Sequence, residues 1–193
     1  MEKIISECLV QSQAALNDFV NTQKDQIILL TRLVIDTIKS GNKLLIFGNG
    51  GSAADAQHMA AEFVNRFLID RPPLAAIALT TDSSILTSIG NDFSFDDIFS
   101  KQITALGAPG DLALGISTSG NSPNVINAIK TATDLGLKTA VLTGGSGGSL
   151  VSMADINLNV PCQATPHIQE THIWVEHLIC RLVDEELFGN QES

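Results

Sequence analysis

Cysteine is scarce in this chain, and so is positive charge. The three cysteines, Cys8, Cys162 and Cys180, are odd in number, widely spaced and form no C-x-x-C pair. That usage fits a reducing compartment and gives no disulfide framework. Cys8 and Cys180 fall among helical apolar positions and are expected to fill core. Lys and Arg number 11 against 21 Asp and Glu, a net charge of -10, and no dense basic cluster occurs. A nucleic-acid backbone or an anionic membrane surface is therefore not expected as a direct partner. An anionic small molecule remains open, held by backbone N–H groups, hydroxyls and one or two local cations. No apolar run approaches the roughly 20 residues of a membrane span. Residues 1–7 are acidic early and lack the apolar stretch of a signal peptide. A cytoplasmic protein is expected.

What is present is core-forming. The 193 residues are 44% hydrophobic and 17% charged, which suits one packed domain with a helical extension. Residues 1–41 read as that extension, an N-terminal helical hairpin. Ile4, Ile5, Cys8, Leu9, Ala15, Leu16, Phe19 and Val20 recur at helical spacing, the polar stretch 21–25 breaks the pattern, and 27–35 resumes it until Ser40, Gly41 and Asn42 stop it. The apolar stripe is wider than one face needs, so these helices are expected either to cover a sheet or to pack against a second copy of the chain.

From residue 42 to 193, short apolar runs alternate with helical patterns. Strands are expected at 43–47, 75–79, 111–116, 139–142 and 156–160, with helices at about 51–68, 82–90, 95–106, 122–135, 147–153 and 166–188. The fold class is α/β: a doubly wound, five-stranded parallel sheet flanked by helices. Such sheets bind ligands at the carboxyl ends of their strands.

The turns after the strands carry the unusual chemistry. Gly48, Asn49, Gly50, Gly51, Ser52 and Ala53 fit the loose G-x-G-x-x-A pattern, but the acid a dinucleotide site needs about 20 residues on is missing. What remains is a glycine turn that admits close approach and a helix N-terminus that favours a negative group. A plain tight turn needs no more than this. After the third strand, Ser117, Thr118, Ser119, Gly120 and Asn121 precede Ser122, an N-cap candidate, and Pro123 at the first helical position. A cap needs one hydroxyl; the surplus suggests a phosphate cradle without lysine. The run 143–149 is a glycine-rich turn that either lines a site or merely connects. Gly90, Asn91, Asp92 and Phe93 lie between two short helices, where Asn and Asp are ordinary turn residues.

Only four histidines occur. His58 stands four residues before Glu62 on the helix after the glycine turn, so both share a face. His167, His172 and His177 lie on the last helix, whose apolar face is expected at Ile168, Thr171, Val175, Leu178 and Leu182. Single histidines on such a helix are commonly structural. His58 and Glu62 can face one metal ion or one substrate, with completion from a second helix. Gln169 and His177 are about 12 Å apart along a straight helix, so their convergence on one atom would need leaning side chains, an irregular helix or two subunits. A carboxylate and an imidazole flanking a phosphate-holding pocket suit proton shuttling between an aldose and a ketose through an enediol, with a divalent metal able to polarise the carbonyl.

Taken together, 48–52, His58 and Glu62, 90–93, 115–122, 168–170 and His177 resemble the phosphoheptose isomerases (GmhA) of the sugar isomerase (SIS) fold, over about residues 5 to 188. The resemblance implies conversion of sedoheptulose 7-phosphate to D-glycero-D-manno-heptose 7-phosphate, the first step of nucleotide-heptose synthesis for lipopolysaccharide core. It implies a cytoplasmic homotetramer with sites at subunit interfaces and one zinc per subunit, and makes 42–193 the SIS domain. It makes Glu62 the general base, His177 the general acid, and His58, Glu62, Gln169 and His177 zinc ligands. Substrate contacts would be Asn49, Gly50, Gly51, Ser52, Glu62, Arg66, Asn91, Asp92, Ser117, Thr118, Ser119, Ser122 and Gln169. Pro166 departs from the pattern: some members have an aspartate there. The stretches 64–67, 101–107 and 187–188 also resemble DiaA, a non-enzymatic relative that binds the replication initiator DnaA. In DiaA the positions of Glu62 and His177 lack a carboxylate and an imidazole; here both are present.

Overall fold

Alternating side chains on the strands decide the layering. In the computed structural model, which describes residues 1–189, five parallel strands take the order β2-β1-β3-β4-β5: β1 (Leu44–Gly48), β2 (Ala76–Ala78), β3 (Leu112–Ser117), β4 (Lys138–Gly144) and β5 (Ile156–Val160). Leu44 and Ile46 of β1, with Leu112, Leu114 and Ile116 of β3, pack one way against α1 (Glu2–Lys39), α2 (Gly51–Val64) and α6 (Thr165–Phe188). Leu45 and Phe47, with Ala113 and Val141, pack the other way against α4 (Ser100–Leu106) and α5 (Pro123–Asp134). Strand burial on both faces is the signature of a parallel sheet covered by helices. The chain leaves β1 for β2 on one side and returns to β3 on the other, so the switch in strand order falls between β1 and β3. Ligand crevices open at such points.

The N-terminal hairpin is not formed: α1 is a single helix of 38 residues. The stretch 21–25 has no glycine or proline, and its polar residues cost a helix only a few tenths of a kcal/mol each. Thr22 donates its hydroxyl back to the Asp18 carbonyl at 2.7 Å, and Gln23 accepts from the Asn159 amide at 3.3 Å. The second half of α1 shares the main core through Phe19, Ile27, Leu30 and Val34. The first half projects: Ile4, Ile5, Leu9 and Val10 are all more than half exposed. Cys8 is exposed with them, against the expectation that it fills core, whereas Cys180 is buried.

Three further elements differ from expectation. The helix expected at 147–153 is a short 3-10 turn, Ser149–Ser152. The one at 95–106 divides into a 3-10 turn, Phe95–Asp97, and α4. Gly90, Asn91 and Asp92 form the last turn of α3 (Ser83–Asp92) instead of a link between helices.

Candidate active site

The glycine turn after β1 bends because Gly50 takes a positive φ of 58°, open to glycine at no steric cost. Asn49 is locked by a reciprocal amide pair: its Nδ2 donates to Asn124 Oδ1 at 2.8 Å and its Oδ1 accepts from Asn124 Nδ2 at 2.9 Å. Asn124 is buried in the first turn of α5, so this pair bridges the β1–β3 switch point. Asn124 stands two residues after a cap candidate, a place that gives no hint of a partner 75 positions away.

Across the crevice, Ser122 occupies the N-cap position of α5 but its side chain does not cap. Its hydroxyl bonds that of Ser117 at 2.9 Å instead. The N–H groups of the first helical turn have no partner within the helix, and among the described residues no hydroxyl caps them, which suits an anion. The loop is held from behind. A Cβ on Gly120 would overlap the Gly147 carbonyl. Asn121 accepts from both the backbone N–H and the hydroxyl of Ser149, at 2.9 and 3.1 Å. The glycine-rich turn after β4 is therefore a brace for the cradle. Beside it a cavity of about 250 Å³ is lined by Thr118, Ser119, Ser146, Gln163 and Thr165, among others. Pro166 stands in the first turn of α6, where proline is at home.

The helices α2 and α6 lie side by side and run the same way. A Cβ on Gly51 would strike the Gln169 amide; two turns further on, His58 Nε2 and His177 Nε2 are 2.7 Å apart. One ring must carry the shared proton and the other present its lone pair. Glu62 Oε1 is 3.5 Å from His58 Nε2. The expected trio His58, Glu62 and His177 thus assembles within one chain, while Gln169 stays with Gly51 at the helix start. Phe67 stacks on the His177 ring, 5.6 Å between centroids and 19° from parallel. Arg66 is exposed after α2, and Asn91 bonds only its neighbour Asp92, at 2.8 Å, on the exposed end of α3, among the described residues.

The two imidazoles and the carboxylate are the donor types of a catalytic divalent-metal site. Their present arrangement is closed by the His58–His177 hydrogen bond, and among the described residues no three His, Cys, Asp or Glu side chains stand as a formed metal-binding group.

The buried face of α6 is rotated from the expected one. Ile168, Thr171 and Val175 are buried, but His172, Glu176, Ile179 and Val183 complete the stripe, and Leu178 and Leu182 are only half-buried. His172 Nε2 donates to the Thr143 carbonyl at 3.1 Å. Burial pushes its imidazole down to about 4, only partly offset by that bond. Burial, with the charge of Asp55 adding to it, holds the Glu176 carboxyl well above its usual range. Burial lifts Asp55 to about 6 against the opposing pull of His58.

A neutral native His172 has a consequence for stability. The unfolded imidazole titrates near 6.5, so as pH falls from there to about 4 the unfolded chain takes up a proton that the native chain refuses. Stability from this residue is whole above that window and lost through it, by about 3 kcal/mol. Urea titrations of the wild type and His172→Gln between pH 4 and 7 should show a weaker loss toward acid in the variant. Equal pH dependence would place the charged form in the native state.

Comparison with known proteins agrees with this geometry. Residues 9–144 match the family model described as SIS domain. The phosphoheptose isomerase of Aliarcobacter butzleri is 52% identical over 184 residues, 95% of this chain and 97% of that protein. That of Nitratidesulfovibrio vulgaris strain Hildenborough is 52% identical over 188 residues, 97% and 90% of the two chains. The structure of phosphoheptose isomerase GmhA from Neisseria gonorrhoeae superposes with a TM-score of 0.91 at 42% identity, covering 95% of this chain and 98% of that one. With half its residues shared along nearly its whole length, and with the crevice and the His–Glu–His cluster in place, the chain belongs to the phosphoheptose isomerase family of SIS-domain proteins.

Proposed function

We propose that this isomerase interconverts sedoheptulose 7-phosphate and D-glycero-D-manno-heptose 7-phosphate through an enediol. The observation that carries the reading is the meeting of Glu62, His58 and His177 on α2 and α6, within one fold edge of a lysine-free anion cradle. The phosphate rests on 117–122 with the first turn of α5, and Asn49, Gly50, Gly51 and Ser52 meet the sugar. Glu62 removes the proton from the carbon beside the carbonyl and returns it to the former carbonyl carbon, while His177 delivers a proton to the carbonyl oxygen and takes one from the hydroxyl of the neighbouring carbon. In the metal-free arrangement His58 orients His177 by sharing a proton with it. Arg66, Asn91, Asp92 and Gln169 are assigned to substrate by family likeness. An adaptor that only bound another protein would have no use for Glu62 and His177, whose presence weighs against the DiaA-like reading.

His58, Glu62 and His177 would hold a zinc ion, with Gln169 as a further ligand. Bound there, the ion would polarise the substrate carbonyl and steady the enediolate. Because Gln169 lies with Gly51 in its own chain, its place at the cluster is best supplied by a second copy. The exposed apolar start of α1 supports residues 1–41 as an oligomerisation extension to a SIS domain at 42–193, in a homotetramer with interfacial sites. No helix among the described residues is long and apolar enough to cross a membrane. We place the enzyme in the cytoplasm, at the entry to nucleotide-heptose and lipopolysaccharide core synthesis.

An isomerase assay on purified protein, before and after chelation and with metal analysis alongside, tests the reading. Turnover of sedoheptulose 7-phosphate that falls on chelation and returns with zinc is the expected result. Turnover indifferent to chelator would remove the metal, and none under any condition would remove the substrate.

A further inference from the structure

Arg71 lies outside every motif in the sequence, yet it is the most heavily bonded side chain near the cluster. Its side chain is 2% exposed. Nε donates to Asp184 Oδ1 at 2.7 Å, Nη1 to the Phe63 carbonyl at 2.8 Å, and Nη2 to the carbonyl of Glu62 itself at 2.9 Å. Asp184, on α6 two turns beyond His177, turns its other oxygen to the N–H groups of Leu68 and Ile69, at 3.3 and 3.4 Å. Those amides follow directly on Phe67, the ring stacked on His177.

A buried ion pair is weak evidence for stability, because desolvation offsets much of its attraction. What singles this one out is where its other bonds go. The last carbonyls of a helix lack N–H partners, and on α2 one of these belongs to Glu62. The planar fork of an arginine meets them and a carboxylate in fixed directions, which lysine cannot do. We propose that Arg71 and Asp184 form a positioning clamp: Arg71 ties the backbone of Glu62 to α6, and Asp184 holds the turn that lays Phe67 on His177. One buried pair thereby sets both the spacing of Glu62 from His177 and the tilt of the His177 ring. The clamp rests on the reading of those two residues as base and acid.

The test compares the wild type with Arg71→Lys, Phe67→Leu and Phe67→Tyr, as folded full-length proteins. Two quantities are read: steady-state kinetics on sedoheptulose 7-phosphate, and the ring-current shift that Phe67 imposes on the carbon-bound protons of His177. Small misplacements remote from the chemistry cost up to about a hundred-fold. Arg71→Lys and Phe67→Leu should therefore lower kcat by about ten-fold or more. KM should hold within about two-fold, since the cradle lies on other loops, and the His177 protons should move downfield. Phe67→Tyr should recover most of both. Should Arg71→Lys fail to fold, Phe67→Leu, half-buried and outside the ion pair, still reads the proposal. Unchanged kcat in the folded variants overturns the clamp, and so does a lowered kcat with His177 shifts intact. A wild type that does not turn over the sugar phosphate overturns the proposed function, while the His177 shifts still decide the clamp.

Discussion

Glu62→Gln will lower kcat on sedoheptulose 7-phosphate by roughly a thousand-fold, about 4 kcal/mol in the barrier. Glutamine keeps the size and hydrogen-bonding reach of the side chain and removes its negative charge and with it the ability to take a proton. Glu62 is suited to this test because its side chain is 23% exposed and, among the described residues, its one polar side-chain neighbour is His58 Nε2 at 3.5 Å. The fold has no stake in its charge, so the variant should melt within a degree or two of the wild type. Exchange of the substrate hydrogen beside the carbonyl with deuterated solvent should stop as well, since that exchange reports the base directly. A variant that retains both turnover and exchange would move the base to another residue.

Asp184→Ala will destabilise the protein by about 3–5 kcal/mol, the cost of leaving a buried charge without its partner. Three losses coincide: Arg71 keeps its charge at 2% exposure, and the N–H groups of Leu68 and Ile69 lose their acceptor. Denaturant titration should show the midpoint shift, and scanning calorimetry a fall in Tm of roughly 10 °C for a chain of this size. Replacing both members by apolar residues, as in Arg71→Met with Asp184→Leu, should restore a good part of the loss. A loss under about 1 kcal/mol in the single variant would mean that water reaches Arg71. Lys43–Asp111 is the natural control, since the lysine there is 26% exposed and can rehydrate.

The alternation of apolar runs with helical periods made the sheet legible, because strands buried on both faces leave short unbroken apolar runs. The i, i+4 spacing of His58 and Glu62 and the rarity of histidine made the cluster legible too. Asn21 to Asp25 misled for a physical reason: polarity is a weak helix breaker when no glycine or proline accompanies it. The buried face of α6 is not legible from periodicity, because His172 and Glu176 are polar residues in fully buried positions, which periodicity assigns to solvent. Arg71 and Asp184 are 113 residues apart, and Asn49 and Asn124 are 75 apart. Their pairing is created by strand order alone, and no local pattern announces it.

The parallel run of α2, α5 and α6 has an electrostatic consequence. Each follows a strand of the same sheet, so all three begin at the carboxyl edge and point away from it. A helix start carries roughly half a positive charge, and three of them together come to roughly one and a half, near the charge of a phosphate dianion. A chain of net charge -10 can thus keep one edge attractive to an anion without a lysine there. That attraction is made of backbone dipoles, so it cannot be titrated away within the range of pH in which the fold survives.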